Sequence, residues 1–178
     1  MTTLAPNIGY RDALTREGYE RLRDELTVLR KAGRAEIGDR LRDAREQGGE
    51  LADNLELMDV LEDQELLERR IATLEAALGS ASVVDDPPDD RIGIGTHVRI
   101  RDLETGHATE YELVASIEAD PGRSRVSAES PVGRALLDRR AGDTVDVQAP
   151  RGHMSLEILE VRAGVAPQEV RSSITTGS

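Results

Sequence analysis

The chain has 178 residues, enough for one large domain or two small ones, and no Cys, which fits a reducing cytosol. A formal net charge of −12 disfavours simple electrostatic capture of nucleic acid. There is no Phe or Trp and only Tyr10, Tyr19 and Tyr111, which argues against stacking platforms for single strands and against deep aromatic-lined pockets.

In chain order, the first signal is a helical period. Thr15 is placed to cap a helix start with its side-chain oxygen. Tyr19, Leu22, Leu26 and Leu29 follow at helical spacing, and Ile37, Leu41 and Ala44 continue the stripe beyond Gly33. A second arm answers with Leu57, Leu61, Gln64, Leu67, Ile71, Leu74 and Leu78, and Gly79 is expected to stop it. Both stripes are narrow, as in a coiled-coil seam. Two such arms, Thr15–Gln47 and Asn54–Leu78, predict an antiparallel hairpin, with Leu26, Leu67 and Ile71 in the seam. Gly33 and Gly38 weaken the first arm by up to about 1 kcal/mol each, so a kink there is permitted but not demanded. An uninterrupted arm of about 32 residues would reach roughly 48 Å, beyond the size of a small domain. The acids between the arms therefore stand far from any core.

Charge divides unevenly between the arms. Arg30, Lys31, Arg34, Arg40, Arg42 and Arg45 occupy the distal half of the first, whereas the second is acidic from Glu56 to Glu75 with only Arg69 and Arg70 opposing. Most of these charges are expected to pair across the hairpin. Glu50 and Asp53, at the tip, have few basic neighbours beyond Arg45.

Pro87 and Pro88, set among four Asp, predict an extended, solvent-facing linker after a possible short strand at Val83-Val84. The period then changes to two. Strands are expected at His97–Arg101, Glu110–Val114, Thr144–Val147 and Met154–Val161, with turns at Gly106, Pro121-Gly122, Gly142 and Gly152. One short helix is expected over Val132–Leu137, entered through Pro131. The fold class is α+β: an N-terminal antiparallel two-helix coiled-coil hairpin and a C-terminal antiparallel sheet domain with one short helix. The expected divisions are a hairpin over 1–79, a linker over 80–90, a sheet domain over 91–164 and a disordered tail over 165–178.

These residues resemble the Gre-type bacterial transcription factors, which bind RNA polymerase at its secondary channel. The resemblance runs from about Leu14 to Val161. It is carried by Ala44-Arg45-Glu46-Gln47-Gly48 entering the tip and by Asp53-Asn54-x-Glu56 leaving it. Further on it is carried by Ser130-Pro131-Val132-Gly133-Arg134-Ala135-Leu136-Leu137, Gly142-Asp143-x-Val145 and Pro150-x-Gly152. It implies an FKBP-like second domain that docks beside the channel through Ser130, Pro131, Val132 and Gly133. It also implies that the hairpin enters the channel, where Glu50 and Asp53 help hold a second Mg²⁺ of the polymerase active site and activate water to cut backtracked RNA. Carboxylates suit this hard ion, and a second metal stabilises an attacking hydroxide. Gly48, Gly49, Asn54 and Glu56 would support the tip, and Arg42 and Arg45 would face RNA or the channel wall. The partner is RNA polymerase, with indirect contact to the RNA 3′ end. No cofactor or metal of its own, no catalytic residue of its own and a monomeric state are expected.

The tip departs from the family pattern Gly-Asp-Leu-x-Glu-Asn: it carries one more Gly, and its acids have changed places at Glu50 and Asp53. A misplacement of about 1 Å can cost on the order of 100-fold in rate. The aromatic after the tip is replaced by Leu57, and Val60-Leu61-Glu62-Asp63 would repel phosphate where cleaving members place basic residues. These departures predict a regulator that obstructs the channel and slows RNA synthesis. The alternatives are an ordinary transcript-cleavage elongation factor, or a coiled-coil chaperone or interaction module using Leu51, Leu55, Leu57 and Met58. Other candidates carry less. His97, His107 and His153 have no Cys beside them, so surface or half-buried roles are expected rather than metal binding. Prolyl isomerase activity is not expected of a domain with Tyr111 as its only aromatic. Ser130 lacks the Gly-x-Ser-x-Gly setting of a nucleophile. No apolar run reaches the ~20 residues of a membrane span and no leader opens the chain, so a cytoplasmic protein is expected.

Overall fold

The computed structural model describes residues 10, 12–46, 55–85, 87, 90–149 and 152–164. It forms two compact units, Met1–Asp85 and Asp86–Ser178.

The first unit is a helical hairpin closed at its base by a small sheet. Strand β1 (Ala13–Thr15) lies parallel to β2 (Ser82–Val84). Thr15 then caps helix α1 (Arg16–Val28), its hydroxyl accepting from the Gly18 amide at 2.9 Å. A π turn (Leu29–Gly33) follows, and helix α2 (Arg34–Glu46) completes the arm. The helical pattern of the first arm thus changes once, in the π turn that ends at Gly33, where a kink was permitted; Gly38 sits within α2. Helix α3 (Leu55–Ser80) is the return arm. It runs one residue past the expected stop at Gly79, because the Ser80 hydroxyl bonds back to the Ala76 carbonyl and across to Asp12, tying the last turn to the base.

Leu22, Leu26, Ile37 and Ala44 of the first arm, and Leu57, Val60, Ile71 and Leu74 of the second, are buried, while Leu29, Leu41 and Leu67 are half-buried. One seam assignment is corrected. Leu61 is 36% exposed and Val60, at 1%, takes its place. Counting from Leu57 in steps of three and four selects Val60, Gln64, Leu67, Ile71 and Leu74, a strict heptad. Leu61 falls one residue outside it.

The arms are laced by ion pairs as expected. Arg34 makes a two-pronged contact with Glu68 at 2.8 and 2.7 Å, and Arg70 does the same with Glu25 at 2.7 and 3.0 Å. Arg30 reaches Glu75, and Arg40 reaches Asp63 at 2.8 Å. Hydrogen bonding by Arg34 holds the Glu68 carboxyl below the usual carboxylate range, and Arg16 does the same for Asp85 at the base. All of these groups are solvated, so each pair adds little to stability, but together they disfavour a slipped register.

The second unit is a five-stranded sheet ordered β5-β4-β3-β7-β6. Its strands are β3 (Thr96–Asp102), β4 (Ala108–Val114), β5 (Arg125–Ser127), β6 (Thr144–Ala149) and β7 (Gly152–Ala163). The expected strands are present and somewhat longer. The sheet is mixed rather than wholly antiparallel, since β5 runs parallel to β4. Strand β5 was not expected because a three-residue strand shows no alternation to read. The two strands are joined through short 3₁₀ turns at Ser116–Glu118 and Pro121–Arg123, and across them Arg125 Nε bonds Glu112 at 2.9 Å in a largely buried pair. Helix α4 (Pro131–Leu136) is the expected short helix, shifted by one residue at each end. Val98, Leu113, Val114, Leu136, Val147 and Ile158 are fully or almost fully buried and form the core of this unit.

Candidate functional site

The hairpin leads to one candidate site. Gly48, Gly49, Glu50, Asp53 and Asn54 lie outside the described residues, as does Leu51. What is described is the approach to them. Ala44 is fully buried and Leu57 nearly so, which keeps the two arms packed to within a few residues of the tip. Around this closed end, Arg42, Arg45 and Glu56 are exposed. Arg42 bonds Asp39 on its own helix at 2.9 Å. Among the described residues no ion pair joins Arg45, the basic side chain nearest the tip in sequence. Past the tip, Glu56, Asp59 and Glu62 are exposed on α3, so that arm presents acids. Leu55 and Met58 are exposed at 77% and 52%, on the side of α3 away from the seam, whereas Leu57 is spent inside the hairpin.

The second candidate lies in the sheet unit, at the start of α4. Ser130 caps this helix, its hydroxyl accepting from the Gly133 amide at 2.9 Å, and Pro131 occupies the first helical position, where no amide is needed. Pro131 is exposed and Val132 half-buried. Gly133 is buried, and a Cβ placed there would lie 2.0 Å from the Ser127 carbonyl oxygen. It therefore serves the packing of α4 on β5 and offers no contact surface itself. Ser130 and Val132 face a cavity of about 260 Å³. Its apolar lining comes from Ile100, Tyr111, Val126, Met154 and Leu156, and its polar rim from Asp102, Thr105, His107 and Thr109. Asp102 accepts from the Thr105 and Glu104 amides at 2.8 and 2.9 Å, and these bonds, with His107 nearby, hold its carboxyl below the usual range. The cavity could not be located from sequence. Its lining comes from four strands, the turn between β3 and β4 and the α4 entry, and only the period-two pattern of the longer strands hinted at a shared face. Tyr111 is its one aromatic apart from His107.

His97 is half-buried in β3, and His107 and His153 are exposed. Among the described residues no group of three His, Cys, Asp or Glu could hold a metal ion. No described helix is long and apolar enough to cross a membrane.

Both units match family models. Residues 13–83 match the N-terminal model of transcription elongation factors, and residues 87–163 match the C-terminal model of GreA/GreB. The chain belongs to the GreA/GreB transcription elongation factor family. It is 42% identical over 151 residues to a transcription elongation factor GreA of Thermoanaerobacter pseudethanolicus, covering 84% of this chain and 96% of that one. It is 41% identical over 152 residues to the same factor of Chlorobium phaeobacteroides, covering 83% and 94%. Among solved structures, a GreA factor homolog 1 of Thermus thermophilus is 27% identical, with a TM-score of 0.38 over 85% of this chain and 98% of that one. For a GreA/GreB protein, the tip approach and the α4 entry are two regions where the family-like motifs meet exposed surface.

Proposed function

We propose that this GreA/GreB-family chain is an elongation factor that binds RNA polymerase and acts through the tip of its hairpin. It is not an enzyme in its own right; it stimulates the polymerase's own transcript cleavage. The observation that carries this reading is the pair of family matches in sequence order, 13–83 and 87–163, together with relatives at about 40% identity that bear the name elongation factor. Those names favour cleavage over the obstruction that the tip departures predict, so the preferred sign is reversed from the expectation above.

In this reading the sheet unit docks on polymerase through Ser130, Pro131 and Val132, using the exposed proline and the apolar cavity beside it. The hairpin enters the secondary channel and presents Glu50 and Asp53 to the Mg²⁺ of the polymerase. Their oxygens suit that ion, and the exposed Arg42 and Arg45 are placed to face RNA phosphates. The metal supplies Lewis acidity and a bound water at the polymerase centre; this chain supplies the carboxylates that position it. The organisation proposed is a hairpin unit that keeps its base strand and so runs past the expected 79 to Asp85, a shorter linker to 90, a sheet domain over 91–164 and a tail over 165–178, in a cytoplasmic monomer.

Obstruction remains the second reading, favoured by the exchanged acids at Glu50 and Asp53 and by the exposed acids Glu56, Asp59 and Glu62 beyond them. Stalled, backtracked complexes with end-labelled RNA separate the two. Cleavage predicts rapid shortening of the RNA that Glu50→Ala with Asp53→Ala abolishes. Obstruction predicts no shortening, together with slower synthesis that the same double variant relieves.

A further inference from the structure

The two arms do not use the same number of residues to cover the same seam. In α3, four seam steps from Leu57 through Val60, Gln64 and Leu67 to Ile71 take 14 residues, a strict heptad spacing. In the first arm, four steps from Leu29 through Gly33, Ile37 and Leu41 to Ala44 take 15. One surplus residue turns an α-helix by about 100°, enough to carry everything beyond it off the seam. A surplus can also be spread by unwinding the coil over a long stretch. Here it is absorbed locally. The Arg34 amide reaches back to the Leu29 carbonyl, five residues away, and residues 29–33 form a single π turn. Beyond it Ile37 and Ala44 are back in the seam, the latter fully buried. Gly33 closes this turn against the facing arm: a Cβ there would stand 3.0 Å from Leu67 Cδ1.

We infer that the Leu29–Gly33 π turn is a phase-correcting joint. It takes up the surplus residue of the first arm and so sets the face on which Arg42 and Arg45 stand at the approach to the tip. π turns of this kind are rare, occur as single turns inside α-helices, and are frequent at functional sites. The joint makes the arms unequal in a testable way. Removing a residue inside the turn returns the first arm to heptad spacing and leaves its distal end in phase. Removing one from α3 throws Leu57 and Val60 out of the seam.

The test uses the full chain with three changes: deletion of Lys31, which is exposed within the turn; deletion of Glu65, exposed on α3; and insertion of Ala after Lys31. Helical melting followed by circular dichroism should leave the Lys31 deletion within about 4 °C of the parent, and should lower the Glu65 deletion by more than about 10 °C. A second readout exploits the Cys-free sequence. Arg40→Cys with Asp63→Cys replaces an ion pair that spans the arms beyond the turn, and a short thiol-reactive linker reports whether the two positions still face each other. Linking should proceed at the parent rate in the Lys31 deletion and at least about tenfold more slowly in the Ala insertion. Equal effects of the two deletions, of either size, or loss of linking in the Lys31 deletion, would overturn the inference.

Discussion

The Gly133 position shows how a residue chosen by motif acquires a physical reason from packing. The stretch from Ser130 to Gly133 was readable as a helix start, because Ser caps and Pro tolerates the first turn. That Gly133 is buried against the Ser127 carbonyl was not readable, since β5 leaves no periodic trace. Gly133→Ala should therefore destabilise the sheet unit at or above the upper end of the ~1–3 kcal/mol range for overpacking. A urea titration checks this, and an unchanged midpoint would remove the packing assignment. Pro131→Asp is the counterpart. Pro131 is exposed, so the melting profile should hold while binding to polymerase core weakens by about tenfold or more, as a charge enters the proposed docking surface. Polymerase titrations at fixed salt would show it. Acid response also belongs to single residues. The carboxyls of Glu68 and Asp85 titrate lower in the folded chain than in the unfolded one, because Arg34 and Arg16 bond them. Their contribution is thus complete above the unfolded values, about 4.5 for Glu68 and about 3.8 for Asp85, and is lost as pH falls from these through the lower folded values. The helical melting temperature should drop over that range, and Glu68→Gln should flatten part of the drop. A Glu68 carboxyl found by NMR titration not to lie below the ordinary range would contradict the pairing.

At the scale of elements, the hairpin was legible because two narrow apolar stripes and opposed charges agree. Leu22, Leu26, Ile71 and Leu74 lie where the period places them, and Arg30, Arg34 and Arg40 find acids on α3. The seam near the tip was misread at one position. In Val60-Leu61 both residues are apolar and the larger is the misleading one, because the heptad counted from Leu57 selects Val60. Val60→Ala should cost about 2 kcal/mol, and Leu61→Ala less than about 1 kcal/mol. Paired thermal melts decide this, and the reverse order would restore Leu61 to the seam. The π turn was illegible for a different reason. A surplus residue in a stripe is compatible with a kink, a stretch of unwound coil or a π turn, and only the Arg34 to Leu29 hydrogen bond selects among them. In the sheet unit, the longer strands announced themselves by alternation. The parallel β5 and the cavity beside it depend on contacts between distant segments, among them the buried Glu112–Arg125 pair.

For the whole molecule, the sequence order of a capped arm, an acidic tip, a second arm, a Pro-rich segment and a period-two domain carries the family resemblance. The family matches over 13–83 and 87–163 agree with it. The sign of the effect on RNA synthesis was less legible, because in the proposed reading it turns on Glu50 and Asp53, whose exchange alters reach by one methylene without altering charge. The most direct measurement is RNA length in stalled, backtracked polymerase complexes over time, with the intact chain and with Glu50→Ala and Asp53→Ala combined. The account predicts that the intact chain shortens the RNA rapidly, and that the double variant does not, although it still competes with the intact chain for polymerase. RNA that keeps its length in the presence of saturating intact chain would contradict it.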